Sequence, residues 1–286
     1  MPINSIHWFP GHMAKALREV EAKVKYIDVI IELLDARAPN SSLNPYLNKI
    51  SPQKPRLIIL AKKDLADEKK AQKWLRFYQA QGYRVLMSNL QDRTSKKDIL
   101  NALQPLYEAK MVKSAKRGLK PQPLRALIVG IPNVGKSTLI NLLVGHKSAK
   151  AANKPGLTRG QQWVKVGSQL ELIDTPGILP ANYENQLVAL RLSMIGTIPE
   201  TILPNDRIQT AIIDFLVKTY PQYLIDRYDL KQQQLISHED ILSGIAERRG
   251  LLISGELNLI EAGNLLQKEF RSGILGPLVL DEIEDA

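Results

Sequence analysis

Apolar residues recur at Met13, Leu17, Val20, Val24 and Ile27 within "MAKALREVEAKVKYI". Steps of four, three, four and three residues put them on one face of a helix. Two continuous apolar runs follow, "DVIIELLD" and "PRLIILA", the pattern of parallel strands buried on both faces. A further strand, "YRVLMS", comes after a helical stretch that ends near Gly82, and a helix is expected from about Ser95 to Ala109. The basic segment "KMVKSAKRGLKPQP", punctuated by Gly and Pro, predicts a linker. "LRALIVG" and "SQLELIDT" complete the strands. This alternation predicts an α/β fold with a mainly parallel sheet. After about Pro180 only helical patterns remain, in "NDRIQTAIIDFLVKTY", "SHEDILSGIAERRG" and "NLIEAGNLLQKEFRSG". The second of these opens with a capping pair, Ser237 and Asp240, and stops at Gly250. Two domains are therefore expected, residues 1–180 and a smaller all-helical domain over 181–286.

Composition narrows the class. The 286 residues are 44% hydrophobic and 24% charged, as in an ordinary soluble protein with a full core. The apolar runs are far too short to cross a bilayer, and "MPINSIHWFPGH" lacks the basic start and apolar stretch of a signal peptide. No membrane partner is expected, and a cytoplasmic location is. The chain has no cysteine, which excludes disulfides, thiolate zinc sites and thiol catalysis. The net charge of +10 is uneven. Residues 206–286 carry 8 basic and 14 acidic side chains, net −6, so the preceding residues carry +16. A basic body of this kind suits a polyanionic partner such as nucleic acid, or simply a solvated surface.

The motif that carries chemistry is "LIVGIPNVGKST", which follows a strand and opens a helix. It fits G-x-x-x-x-G-K-[ST] through Gly130, Gly135, Lys136 and Ser137, with Asn133, Val134 and Thr138 in the same loop. The glycines let backbone N–H groups turn inward around phosphates at a helix N-terminus. Lys136 is placed for the β and γ phosphates, and Ser137 for Mg²⁺. Downstream, Thr158 in "KPGLTRG" can close over the γ-phosphate and the metal, or be an ordinary loop threonine. "LIDTPGIL" offers Asp174 to the metal's outer shell and the Gly177 N–H to the γ-phosphate. The residue after Gly177, where many GTPases have a water-orienting glutamine, is Ile178. No base-reading motif follows Gly177. One precedes the phosphate loop, in "LAKKDLAD" at a strand end, with Lys62, Lys63 and Asp64. A carboxylate there accepts from both the N1–H and the 2-amino group of guanine, and adenine would leave it unpaired. As a lone tripeptide the same residues also suit a solvated basic loop. Ser88 and Asn89, at the next strand end, can meet the guanine carbonyl through their backbone. A base reader ahead of the phosphate loop is the order produced when a parallel fold is cut between switches and base reader and its termini are joined.

Together these residues resemble the circularly permuted GTPases, and most closely the ribosome biogenesis GTPase A family. The resemblance covers nearly the whole chain, through "WFPGHMAKALRE", "LLDARAPNSSLNP", "GIPNVGKSTLIN", "KPGLTRG", "LIDTPGIL", "IAERRGLL" and "FRSGILG". It implies binding of GTP and GDP with Mg²⁺, hydrolysis of GTP, and assembly of the large ribosomal subunit through binding of 23S-type rRNA, with hydrolysis stimulated by the particle. The family has a hydrophobic residue in place of the glutamine, matched by Ile178. Its proposed catalytic histidine is matched by His12, whose imidazole suits work on a water near pH 7. Without the resemblance His12 reads as no more than the start of the Met13 helix. Asn133 matches the asparagine associated with a bound potassium ion in the family. The chain departs from the family's Asn-Lys-x-Asp in having Ala61 for the asparagine that ties the base-reading loop to the phosphate loop.

Between Lys69 and Lys120 stand 13 basic and 3 acidic residues, including Lys113, Lys116 and Arg117 in the linker. Phosphate contacts by such groups are salt-sensitive and largely sequence-neutral. In the acidic helical domain the family match contains Arg248, Arg249 and Arg271. These six residues are the expected RNA contacts, on a chain expected to be monomeric and not to bind DNA. Two other functions fit the motifs, a GTP-dependent RNA scaffold with negligible hydrolysis and, less well, a P-loop ATPase.

Overall fold

A computed structural model describes residues 11–145, 163–174 and 185–285. Thr158, Gly177 and Ile178 lie outside the described residues, as do the side chains of His12 and Asp174. The described residues form two compact units. One contains residues 11–145, 163–174 and 281–285, the other residues 185–280.

In chain order the first unit runs α1 (Gly11–Val24), β1 (Val29–Asp35), α2 (Tyr46–Ile50), β2 (Arg56–Ala61), α3 (Glu68–Ala80), β3 (Arg84–Ser88), α4 (Ser95–Ala115), β4 (Leu124–Gly130), α5 (Lys136–Val144), β5 (Trp163–Val166) and β6 (Leu170–Asp174). The strands form one sheet in the order β3-β2-β1-β4-β6-β5. All neighbours pair in parallel except β5 with β6. The mainly parallel sheet is as the apolar runs predict, and every residue of β1 and β2 is buried. The short β5 was not anticipated; its four residues alternate weakly at the sheet edge and join β6 through a turn at Gly167.

The apolar stripe packs on the sheet, although α1 ends at Val24 and Ile27 lies just beyond it. Leu17, Val20 and Ile27 pack with Ile30, Leu127, Val129 and Ile173 of the sheet and with Leu47 of α2. Right-handed crossovers then set α3 on this same face and α4 with α5 on the other. Helix α4 continues to Ala115, so the expected linker is helical in its first part. Its Lys110 is structural, with Nζ 2.7 Å from Asp28 Oδ2 and 2.6 Å from the Pro123 carbonyl. The end of the chain also belongs to this unit. Asp281, fully buried, accepts from Ser41 N–H at 2.8 Å and Ser41 Oγ at 2.6 Å, and its carbonyl accepts from Trp74 Nε1 at 3.3 Å.

The second unit contains α6 (Gln186–Met194), α7 (Asn205–Thr219), α8 (Pro221–Tyr228), α9 (His238–Arg249), a hairpin of β7 (Leu252–Ile253) with β8 (Glu256–Leu257), and α10 (Leu259–Ser272). Its core is formed by Ile208, Ile212, Leu216, Ile241, Ile245, Leu266 and Phe270. The expected capping pair forms at α9, where Ser237 Oγ accepts from Asp240 N–H at 3.1 Å. The hairpin interrupts an otherwise helical unit. Ser254 and Gly255 both have positive φ, the geometry of a two-residue turn that matches strand twist.

Strand β1 carries a buried acid, Glu32, inside the core. It accepts from Arg56 Nη1 and from Asn44 N–H, each at 3.3 Å. Burial pushes its carboxyl up to about 7, against the opposing pull of Arg56 and the Asn44 N–H. A folded-state value above the unfolded one stabilises the fold at low pH and loses that contribution as pH rises through about 7. Wild-type stability in urea should therefore fall between pH 5 and pH 8 relative to Glu32→Gln, by ~1–3 kcal/mol. Parallel pH profiles for the two proteins would refute this.

Candidate nucleotide-binding site

The connections from β1 and β4 leave towards opposite edges of the sheet. At such a reversal the carboxyl ends of neighbouring parallel strands open a crevice for a ligand. The chain places its phosphate loop in that crevice, because β4 ends at Gly130 and α5 begins at Lys136. Gly130 has φ +156°, and a Cβ there would lie 2.7 Å from the Leu33 carbonyl oxygen of β1. Only glycine lets the loop leave the sheet this close to its neighbour. Asn133 is exposed with φ +61°, Val134 is buried, and Gly135 has φ +113°. The first bond of α5 is Leu139 N–H to the Gly135 carbonyl at 2.8 Å, so the N–H groups of Lys136, Ser137 and Thr138 precede the helical ladder. They face the loop with the positive end of the helix dipole.

Lys136 is nearly buried and folds over the loop, its Nζ donating to the carbonyls of Gly130 at 3.1 Å and Ile131 at 2.9 Å. These bonds hold the loop wrapped and put the ammonium at its centre. Ser137 is half-buried at the start of α5 and Thr138 is exposed. β6 ends at Asp174, paired in register with Ile128 beside the loop. A serine hydroxyl in the first turn of α5 is a hard oxygen donor of the kind that Mg²⁺ takes.

The base-reading candidates come to the same end of the sheet. Register pairing aligns Asp35 with Ala61 and Ala61 with Ser88, so three strand ends stand side by side. Lys62 has φ +58°, and Lys63–Leu65 form a single 3₁₀ turn that presents Asp64 to solvent. Lys62 Nζ lies 2.9 Å from Asp35 Oδ2. Lys63 is close enough to Asp92, in the loop after β3, to help hold that carboxyl below its usual value, after the stronger effect of Thr94 donors. Ser88 Oγ is buried and has no hydrogen-bond partner among the described residues. The Asn89 carbonyl accepts from Ser95 Oγ at 2.8 Å. Leu90, next in that loop, packs against the phosphate loop, its Cδ1 3.2 Å from where a Cβ of Gly135 would be. The fold thus brings Lys62, Asp64, Ser88 and Asn89 to the same end of the sheet as the phosphate loop, although 66 positions separate Asp64 from Gly130.

Over nearly its full length the chain is similar to curated proteins. It is 42% identical over 283 residues to ribosome biogenesis GTPase A of Bacillus cereus, spanning 98% of this chain and 95% of that one. The chain belongs to the ribosome biogenesis GTPase A family. The Thermotoga maritima member is 30% identical over 279 residues, covering 97% and 95% of the two chains. The family described as "50S ribosome-binding GTPase" matches residues 125–238. Among solved structures, GNP-bound YlqF from T. maritima superposes with a TM-score of 0.65 at 26% identity, over 94% of this chain and 98% of that one.

The expected RNA contacts differ in availability. Lys113, Lys116 and Arg117 are exposed at the end of α4 and just beyond it. Arg248 is exposed, 3.9 Å from Asp229, and Arg249 lies over the Tyr228 ring. Arg271 is committed inside its own unit. Its Nε and Nη2 donate to the carbonyls of Met194 and Ser193, and its Nη1 to Glu200. Sequence reasoning missed Asp35 and Arg37, whose signal was a carboxylate closing an otherwise apolar strand. Gly130→Ala should lower nucleotide affinity at least tenfold and cost ~1–3 kcal/mol of stability, because the added methyl must displace β1. Titration with nucleotide and thermal unfolding would measure both; unchanged affinity would mean the crevice is not the phosphate site.

Proposed function

We propose that this GTPase is an assembly factor for the large ribosomal subunit, binding its precursor particle and 23S-type rRNA and hydrolysing GTP in response. The observation that carries the reading is the convergence of phosphate loop and Lys62-x-Asp64 loop on one crevice, in a chain of this family. Loop N–H groups and Lys136 take the β and γ phosphates, and Asp64 accepts the two guanine donors. The nucleotide is GTP or GDP. Ser137, Thr158 and Asp174 would hold Mg²⁺ and Asn133 K⁺, ions that neutralise phosphate charge when bound. The Gly177 N–H meets the γ-phosphate. With Ile178 unable to orient a water, His12 takes that role. The basic face with Lys113, Lys116 and Arg117, and Arg248 and Arg249 of the second unit, suit rRNA phosphates. Arg271 suits them less, its donors being engaged. The reading includes a cytoplasmic monomer with the division at about residue 180.

Ile178 and Ala61 favour one second reading, a GTP-dependent RNA scaffold with negligible hydrolysis. Turnover of GTP and ATP, with and without large-subunit particles, separates the two and also tests ATPase activity. Particle-stimulated hydrolysis of GTP alone is expected; GTP binding without turnover would favour the scaffold. His12→Ala should keep GTP and particle binding and lose stimulated hydrolysis by roughly 10²-fold, the scale of a positioned acid–base group. Near-wild-type single turnover on saturating particles would remove His12 from the mechanism.

A further inference from the structure

The end of β1 carries a buried carboxylate, Asp35, that the nucleotide chemistry above does not use. Asp35, fully buried at the end of β1, accepts four hydrogen bonds. Its Oδ1 takes Arg37 N–H at 3.1 Å and Arg37 Nε at 3.0 Å. Its Oδ2 takes Arg37 Nη2 at 2.9 Å and Lys62 Nζ at 2.9 Å. The Asp35 N–H donates to Ser42 Oγ at 3.0 Å, and that hydroxyl donates to the Ala38 carbonyl at 2.6 Å. Burial alone would raise the Asp35 carboxyl, but Arg37 and Lys62 outweigh it and hold it well below the usual carboxylate range.

This anion sits where the base reader begins. Ala36 N–H donates to the Ala61 carbonyl at 2.8 Å, fixing the backbone one residue before Lys62. Lys62 then takes a left-handed conformation, which a side chain with a Cβ rarely adopts unheld. Two contacts hold it, the ammonium on Asp35 and the Leu65 N–H on the Lys62 carbonyl at 3.0 Å. The reversal they fix sets the direction of Asp64. Arg37 lies close enough to feel the Asp64 charge, yet its nearest anion is Asp35. Asp35 thereby keeps Arg37 from claiming the carboxylate that must accept from the base. Lys62 keeps 28% side-chain exposure with its ammonium tied to Asp35.

We propose that Asp35 is a positioning residue for guanine recognition: it anchors Lys62 and so fixes the Asp64 turn. The proposal rests on the guanine-nucleotide reading of the site. Asp35 ties the Lys62 loop to β1, the strand that abuts Gly130.

The test uses the full chain and titrates GDP, inosine diphosphate and ADP into wild type, Asp35→Asn, Lys62→Met, Lys62→Arg and the Asp35→Asn/Lys62→Met double variant. Inosine lacks the 2-amino group, so the GDP-to-inosine diphosphate ratio reports the placement of Asp64. Lys62→Met and Asp35→Asn should each weaken GDP by roughly tenfold, the scale of one charge-assisted hydrogen bond, and reduce that ratio. The double variant should be no weaker than either single one, and Lys62→Arg should bind closer to wild type than Lys62→Met. Lys62→Met leaves the Asp35–Arg37 pair intact, so it reports on the site even where Asp35→Asn fails to fold. Effects that multiply in the double variant, or a Lys62→Met protein that retains the wild-type ratio, would overturn the role of Asp35 alone. A wild type that binds ADP as well as GDP would overturn the guanine reading and this proposal together.

Discussion

The approach of β4 to β1 at their carboxyl ends is the constraint on which the site depends. Gly130 leaves the sheet so close to the Leu33 carbonyl that no side chain fits between them. That closeness puts the phosphate loop beside the loop after β1, and through Ala36 and Ala61 beside the loop after β2. The phosphate loop and the Lys62-x-Asp64 loop thus follow β4 and β2, the two strands that flank the fully buried β1, and that shared neighbour fixes the spacing of the two loops. Chain order does not enter this geometry. A parallel sheet held by β1–β4 pairing presents the same strand ends wherever the chain is cut.

Two acids three residues apart on β1 show how local partners decide charge in the same core. Glu32 faces one nearby cation across 3.3 Å, and burial prevails. Asp35 faces two cations at 2.9 Å, and their combined field prevails over the same burial. The first is a titratable element of the core near neutral pH. The second stays charged and so can hold a lysine and an arginine in fixed places. The loop between β1 and α2 is pinned at its far side as well, because Ser41 donates twice to the buried Asp281 near the end of the chain. The loops at the ends of β1 and β2 therefore rest on contacts from sequence positions as far apart as 35, 62 and 281.

The basic and acidic halves of the charge distribution also resolve by partner. Lys110 is spent on Asp28 and the Pro123 carbonyl, whereas Lys113, Lys116 and Arg117 project from the end of the same helix. In the second unit Arg227 and Arg271 are used on Glu269, Glu200 and backbone carbonyls. Net charge per segment, read from composition, thus overstates the cations available to an anionic partner in both units.

The sequence by itself determined the elements and the phosphate loop. Period-3.6 stripes and continuous apolar runs have no other way to bury their surface, and the Gly-x-x-x-x-Gly-Lys-Ser spacing, from Gly130 to Ser137, carries its own loop geometry. It also revealed the inverted order of base reader and phosphate loop, because each motif is local. The β5 edge strand and the β7–β8 hairpin were not legible, since two to four residues carry too little periodicity to separate from loop. Nor did the sequence reveal what Asp35, Arg37 and Asp281 do. A carboxylate's role depends on which cations reach it, and those come from other strands and from the end of the chain. Only the tertiary structure decided that Lys62 is held from β1, because that contact spans 27 residues and exists only once β1 and β2 are paired in register.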